Sequence, residues 1–350
     1  MDVIRQAGDA FEVVLVSAGS DAKGLDEAGA LFPRAGRVLG AGADGRRRLL
    51  DAIAGCGAEI AVNGIAGAAG LEPSMAVIET GADLALANKE TLVMAGDIAL
   101  ARARATGSRV IPVDSEHSAI GALLDAHGTD GVDEIILTAS GGPFRNSSME
   151  EMARVTPGDA LAHPTWSMGA KISIDSATMA NKGLEVIEAA RLFAFPPEKI
   201  KVVVHPQSVV HSMVRMKDGA VYAQLSNPDM RLPIFHALLG HGAAGAPVAR
   251  LEFGGLTLGF FPPDAERFPL LPLAYAAVSA GGLYPCAYNA ANEEAVAAFL
   301  AGRAGFLDIA RVTGYIMEMD WGRVPASLPE VLEADARARD LAAKELGWRR

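Results

Sequence analysis

Four short apolar runs punctuate the first third of the chain, with helix-like stretches between them. Phe11–Ser17 reads FEVVLVS, Glu59–Ile65 reads EIAVNGI, Ala82–Ala87 reads ADLALA and Arg109–Val113 reads RVIPV. The intervening stretches are rich in Ala, Leu and Glu, as in Leu71–Thr80 and Glu90–Thr106. Runs this apolar suit strands covered on both faces, and buried strands that alternate with helices imply βαβ units and a parallel sheet. The expected class is therefore α/β.

The pattern changes after Asp114. Glu134–Ser140 (EIILTAS) reads as a strand ending in a glycine turn, and a loop containing Pro, Trp and Met follows at His163–Ala170. A helix is expected near Thr178–Phe193 and another strand at Lys201–His205. His211–Leu225 reads as a hairpin, because Asp218-Gly219 separates two alternating runs, a strong turn signal. Pro- and Gly-rich stretches at Gly240–Pro247 and Pro262–Pro272 read as a linker, and Ala/Leu/Glu patterning from Leu273 onward reads as a helical bundle. The expected division is residues 1–113, an α/β domain, 114–240, a central α+β domain, 241–272, a linker, and 273–350, helical.

Composition narrows the function. The 350 residues allow two or three domains of roughly 100–200 residues each. A formal charge of −11 argues against a general nucleic-acid binder, but it leaves room for an anionic substrate held by a local cluster of donors. Cys56 and Cys286 are far apart in apolar surroundings and read as free thiols of a reducing compartment. The opening MDVIRQAGDAFEVV has no basic stretch before an apolar core, and no uninterrupted apolar window long enough to span a bilayer occurs. The cytoplasm is the expected location, with no membrane partner.

Several short segments carry groups capable of chemistry. IPVDSEH places Asp114, Ser115, Glu116 and His117 just beyond a buried strand. If the chain stays extended there, Asp114 and Glu116 point the same way, and two converging carboxylates suit a hard divalent cation. The competing explanation is an ordinary helix N-cap. In NKGLEVIEAARLF, Asn181 and Glu185 share a helix face, with Lys182 beside them and Glu188 three residues on; a solvated face is the alternative. Ser173, Asp175, Ser176 and Thr178 make the preceding segment unusually polar, and hydroxyls, an amide and an ammonium near a helix start are what a phosphate needs. Ser140-Gly141-Gly142 lets backbone N–H groups approach an anion, or merely connects two elements. His163, Trp166 and Met168 lie in HPTWSMGAK, a lid or a core anchor. In LANKETL, Lys89 reaches a ligand or pairs with a nearby acid.

Taken together, PVDSEH, SGGPF, HPTWSMG, DSATM, NKGLE, HPQSVVHSMV and NAANEEAVAAFL, in this order, resemble 1-deoxy-D-xylulose 5-phosphate reductoisomerases, from Asp2 nearly to the end. The resemblance implies a Rossmann-like domain, a central catalytic domain and a C-terminal helical domain. It implies that Asp114, Glu116 and Glu185 hold Mg²⁺ or Mn²⁺. It assigns the substrate phosphate to Ser140, Ser176, Asn181 and Lys182 with His163 close by, the metal-bound substrate oxygens to Ser115 and Lys89, and a closing flap to Trp166 and Met168. Lys89, His163 and the three carboxylates are the implied catalytic set. Gly19, Ser20, Asn88, Glu90, Gly169 and Met230 fall on the side of the cofactor, NADPH. The implied reaction rearranges and reduces 1-deoxy-D-xylulose 5-phosphate to 2-C-methyl-D-erythritol 4-phosphate for isoprenoid precursors, in a homodimer. The rivals are a sugar-phosphate- and metal-binding protein without reductase activity, an isomerase or aldolase that releases the aldehyde, and a different dehydrogenase.

The chain also departs from that family. Its opening strand and G-x-T-G-x-I-G loop have no counterpart here, and Met1-Asp2-Val3-Ile4 falls in the helix that should follow them. The expectation is a nucleotide-binding domain lacking its first strand and glycine loop, with a start at an internal methionine favoured over a true loss. After Gly19, Ser20 and Asp21 stand where the family usually has a basic residue and an asparagine.

Overall fold

The computed structural model describes residues 1–162, 166, 168–245 and 247–347, apart from the side chain at position 43. In chain order the elements are α1 (Asp2–Ala7), β1 (Leu15–Ala18), α2 (Ala22–Leu31), β2 (Gly36–Leu39), α3 (Gly42–Gly55), β3 (Ile60–Asn63), α4 (Leu71–Thr80), β4 (Asp83–Leu86) and α5 (Lys89–Thr106). They continue with β5 (Val110–Pro112), α6 (Ser115–His127), β6 (Val132–Ala139), α7 (Met149–Met152), α8 (Pro157–Leu161), α9 (Ala170–Ala177), α10 (Ala180–Leu192), β7 (Ile200–Val204) and β8 (Val210–Met216). The last are β9 (Val221–Leu225), α11 (Arg231–Leu239), α12 (Leu270–Ala280), α13 (Tyr284–Leu300), α14 (Phe306–Met317) and α15 (Leu328–Glu345). The α/β class and the helical C-terminal region are as the sequence leads one to expect.

Two compact units share this chain. The first comprises Met1–Thr91, Ala99–Ser118 and Asp229–Ala249. Its strands are all parallel, but among the described residues they form two separate sheets, β1–β2 and β3–β4–β5, rather than one. The expected strand at Phe11–Ser17 is confined to Leu15–Ala18, and Gly36–Leu39 is a strand that the apolar pattern did not announce. Helix α11 covers the three-stranded sheet: Ala237 and Ile234 pack on Ala85, Val113, Ile60, Ala87 and Ile111. Asn88 caps α5, its Oδ1 accepting from the Thr91 backbone N–H at 3.1 Å. Its amide nitrogen also bonds Ile65 O at 2.6 Å, Gly67 O at 2.9 Å and Glu90 Oε2 at 2.9 Å, so this buried side chain ties the loop after β3 to the start of α5.

The second unit comprises Leu92–Ile98, Ala119–Pro228 and Arg250–Arg350. Its mixed sheet has the order β7–β6–β8–β9, with β6 and β7 parallel and the β8–β9 hairpin antiparallel. The hairpin turns at Gly219, whose φ of +91° few side chains tolerate. Helix α5 breaks at Ala95 (φ −135°), where the Arg191 guanidinium donates to the carbonyls of Leu92 at 2.7 Å and Val93 at 3.2 Å. Those bonds satisfy carbonyls that a regular helix would pair internally.

The helical region is a platform for α9 and α10. Trp321 is buried, with its indole N–H on Ile316 O at 2.8 Å, and Arg337 lies over its ring. Gly183 of α10 sits so close to α12 and α13 that an added Cβ would come within 2.7 Å of Ala274 Cβ and 2.9 Å of Tyr288 Oη. That hydroxyl is fixed, donating to Leu270 O at 3.0 Å. The glycine of NKGLE is therefore a helix-packing residue. Gly183→Ala is expected to overpack this contact and cost about 1–3 kcal/mol. Chemical denaturation measures this, and an unchanged midpoint would refute the close approach.

Candidate functional site

The implied site residues other than His163 each have a place in one unit or the other. In the first unit, β5 ends at Pro112 and α6 starts at Ser115. Asp114 is therefore at a helix entrance rather than in extended chain: its Oδ1 accepts from the Glu116 N–H at 3.2 Å and its carbonyl from Ser118 N–H at 2.8 Å. Of the two alternatives the sequence leaves open, the helix entrance is the one present, because the free N–H groups of the first helical turn draw the Asp114 carboxylate onto themselves. Lys89 forms an ion pair with Asp114, and both are buried. His117 Nδ1 lies 3.4 Å from Asp114 Oδ1, and Ser115 donates to Glu116 Oε2 at 2.6 Å. Burial alone would raise the Asp114 pKa, but the Lys89 charge, followed by His117 and Glu116, holds it well below the usual carboxylate range.

In the second unit, the helix face expected of Asn181 and Glu185 is present. The Asn181 amide and the Lys182 ammonium both bond the Glu185 carboxylate, one to each oxygen. Glu185 and Lys182 are buried, so this is no solvated face. The turn between α9 and α10 places Met179 at φ +63°, unusual for a side chain, and brings the end of α9 next to the start of α10. Ser173 and Thr178 spend their hydroxyls on the backbone, on Gly169 O at 3.0 Å and Ile174 O at 3.1 Å. The SGG turn meets the same place. Gly141 and Gly142 have φ of +81° and +68°, and a Cβ on Gly142 would lie 2.7 Å from Ser176 O. Ser140, whose hydroxyl accepts from Gly142 N–H at 3.2 Å, is thus brought to the turn beside Ser176.

The remaining implied residues are spread more widely. His163 lies outside the described residues. Trp166 stands with its ring centroid 6.4 Å from that of His211, Met168 is half-buried, and Gly169 caps α9. Gly19 and Ser20 follow β1, and Met230 is the partly exposed N-cap of α11. Asp21 uses its carboxylate to cap α2, accepting from Gly24 N–H at 2.9 Å, so that group is turned onto its own helix. Glu90 is buried and engaged by Asn88. Cys286 is buried, which pushes its thiol pKa up, and Cys56 is also free, as expected. No helix among the described residues is long and apolar enough to cross a membrane.

Two histidines of the HPQSVVHSMV segment were not singled out by the sequence reading. His205 Nε2 accepts from the Val209 and Val210 N–H groups at 3.2 Å each. Its proton is therefore on Nδ1, which donates to Gly259 O at 2.9 Å, while Phe260 stacks on the ring at 4.7 Å. His211 is buried, with Nε2 2.9 Å from Ser226 Oγ, and burial pushes its pKa down to about 4. Two histidines bracketing a strand start were the available signal. Because folding lowers the His211 pKa, the unfolded chain binds the extra proton between pH 6.5 and 4, and stability falls as pH drops through that window. His211→Gln is expected to remove on the order of 3 kcal/mol of that acid-side loss, read from denaturation midpoints at pH 7 and 4.5. Parallel wild-type and variant curves would contradict it.

Three family models match the chain. Residues 35–96 match "1-deoxy-D-xylulose 5-phosphate reductoisomerase", 110–193 match its C-terminal domain, and 225–341 match a DXP reductoisomerase C-terminal domain. The protein named 1-deoxy-D-xylulose 5-phosphate reductoisomerase of Chlorobaculum tepidum is 46% identical over 370 residues, covering 99% of this chain and 96% of its own. That of Treponema pallidum is 52% identical over 297 residues, covering 85% and 79%. A crystal structure of DOX-P reductoisomerase in complex with NADPH, fosmidomycin and magnesium superposes with a TM-score of 0.91 at 34% identity, covering 99% of this chain and 94% of that one. The Zymomonas mobilis enzyme in complex with NADPH gives a TM-score of 0.87 at 41% identity, covering 99% and 95%. Agreement of this extent, in sequence and in fold, shows that the chain belongs to the 1-deoxy-D-xylulose 5-phosphate reductoisomerase family.

Proposed function

We propose that this chain rearranges 1-deoxy-D-xylulose 5-phosphate and reduces the product to 2-C-methyl-D-erythritol 4-phosphate, using NADPH and Mg²⁺ or Mn²⁺, as a step towards isoprenoid precursors. The observation that carries the reading is the buried Asn181–Lys182–Glu185 cluster at the start of α10, within a segment that matches the family model. A carboxylate, an amide and an ammonium gathered at one helix start suit a cation and a phosphate.

Asp114, Glu116 and Glu185 would hold the divalent cation. The donor set fits: all three offer carboxylate oxygens, the hard ligands that Mg²⁺ and Mn²⁺ take. Asp114 and Glu185 each also have an ammonium partner, Lys89 and Lys182, so their charge is compensated within the protein. When bound, the cation supplies Lewis acidity towards adjacent substrate oxygens. Ser140, Ser176, Asn181 and Lys182 would bind the phosphate, whose binding energy orients the distant reacting end. Ser115 and Lys89 would meet the substrate oxygens near the carboxylates, and Trp166 and Met168 would help to exclude water once the substrate is bound. His163 would stand by the phosphate.

NADPH would be held by the first unit, where parallel strands alternate with helices, beside Gly19, Ser20, Asn88, Glu90 and Met230, with Gly169 contributing from the second. Ser20 offers a hydroxyl to the ribose phosphate. Asp21 turns its carboxylate onto the start of α2, where it accepts from Gly24 N–H. Of the Asn88 groups, both amide hydrogens and Oδ1 already have protein partners, so its part is to shape the turn. The chain would act in the cytoplasm as a homodimer, for which the edge strand β9, with Val221 and Tyr222 exposed, offers a surface to a second copy.

Glu116→Gln and Glu185→Gln are each expected to lower metal-dependent turnover by at least about 100-fold and to weaken Mn²⁺ binding measured by calorimetry. Wild-type rates in either variant would remove that residue from the ligand set. Small-angle scattering of the free protein tests the dimer, and a monomer mass would exclude it.

A further inference from the structure

The NAANEEAV segment of α13 is part of the family likeness, yet none of its residues falls in the site proposed above. Asn292 and Glu293 reach α9. Asn292 Nδ2 donates to Asp175 Oδ1 at 2.8 Å, and the other Asp175 oxygen pairs with Lys171 at 2.9 Å. Lys171 is also 4.0 Å from Glu293 Oε1, whose carboxylate accepts from Asn289 at 3.0 Å and from Arg339 of α15 at 2.8 Å. Arg339 is anchored in turn by Asp335, through Nε at 2.7 Å and Nη2 at 2.9 Å. Asp175 is 1% exposed and Glu293, Asp335 and Arg339 are mostly buried, so solvent screens little of this chain of charges. Lys171 and Arg339 hold the Glu293 carboxylate below its ordinary pKa despite burial.

The geometry points to a positioning role: Lys171, Asp175, Asn292, Glu293 and Arg339 fix the rotation and height of α9 on the helical platform, and so the place of Ser176, the next residue after Asp175. The inference rests on the assignment of Ser176 to the substrate phosphate. A buried network with two-sided bonds has one low-energy arrangement, because any sliding of α9 leaves a charge unpaired in a dry place. Apolar packing alone would hold α9 against α13 without setting its register as sharply. The close approach of Gly142 to the Ser176 carbonyl, where an added Cβ would have no room, adds a second constraint. The network therefore presets the phosphate pocket before the substrate arrives, which lowers the ordering cost of binding.

Calorimetric titration of the full-length chain with 1-deoxy-D-xylulose 5-phosphate, without NADPH, tests this. The variants are Asn292→Ala and Lys171→Met, with Arg339→Lys as a milder probe that keeps the charge and loses the fork. Asn292→Ala and Lys171→Met are expected to weaken binding about tenfold, the effect of one misplaced charge-assisted hydrogen bond, and Arg339→Lys about threefold. Mn²⁺ affinity is expected to be unchanged in all three, which a general loosening of the fold would not give. Wild-type substrate affinity in the folded variants overturns the inference, as does an equal loss of Mn²⁺ affinity. A wild-type chain that binds no substrate overturns the functional reading and this inference with it. Normal wild-type binding with unaffected variants overturns the network's role alone.

Discussion

Glu185 places a carboxylate on a helix face that water hardly reaches, and much of the second unit is arranged around that fact. An unpaired carboxylate in such a place would cost several kcal/mol. Lys182 and Asn181, one turn back on α10, offset the cost through direct bonds. To stand there they need α10 to be buried on its other side, which Gly183 permits by letting α12 and α13 come within contact distance of the backbone. Polar groups and packing are thus two aspects of one helix. The face that gathers charge is held in place by the face that gives up its side chain.

The same logic recurs at Asp114. Its carboxylate is drawn to the entrance of α6 by exposed N–H groups and balanced by Lys89. Capping and ligand binding are often treated as alternatives, since both ask for an acidic residue before a helix. In the proposed site the two demands would coincide. A carboxylate has two oxygens, and the one accepting from Glu116 N–H fixes the direction of the group. The second unit carries a wider network, in which Asn292 of α13 bonds Asp175 of α9 and Arg339 of α15 bonds Glu293 of α13.

The sequence made some of this legible and hid the rest, for physical reasons. β3, β4, β5 and β6 were readable because each falls in a run of mostly aliphatic residues, and the hairpin because Asp218-Gly219 marks its turn. β2 was not: it is four residues long, contains Arg37 and is half exposed, so no apolar run announces it. α3 begins GADGRRR, a glycine-bearing, charged stretch that looks like a loop until its C-terminal half is included. The pairing of Asn181 with Glu185 followed from helical spacing alone. The Asn292–Asp175 bond joins residues 117 apart, and no local pattern reports such a contact. Asp114 lay between: its acidic, strand-end position was visible, but whether the chain stayed extended or turned into a helix depended on hydrogen bonds that only the fold reveals.

The most direct test of the account is NADPH oxidation by this chain, beginning at Met1, with 1-deoxy-D-xylulose 5-phosphate and Mn²⁺, followed at 340 nm with and without a chelator. The account predicts turnover that the chelator abolishes and Mn²⁺ restores. Binding of the sugar phosphate without any oxidation of NADPH, or oxidation indifferent to the chelator, would contradict it.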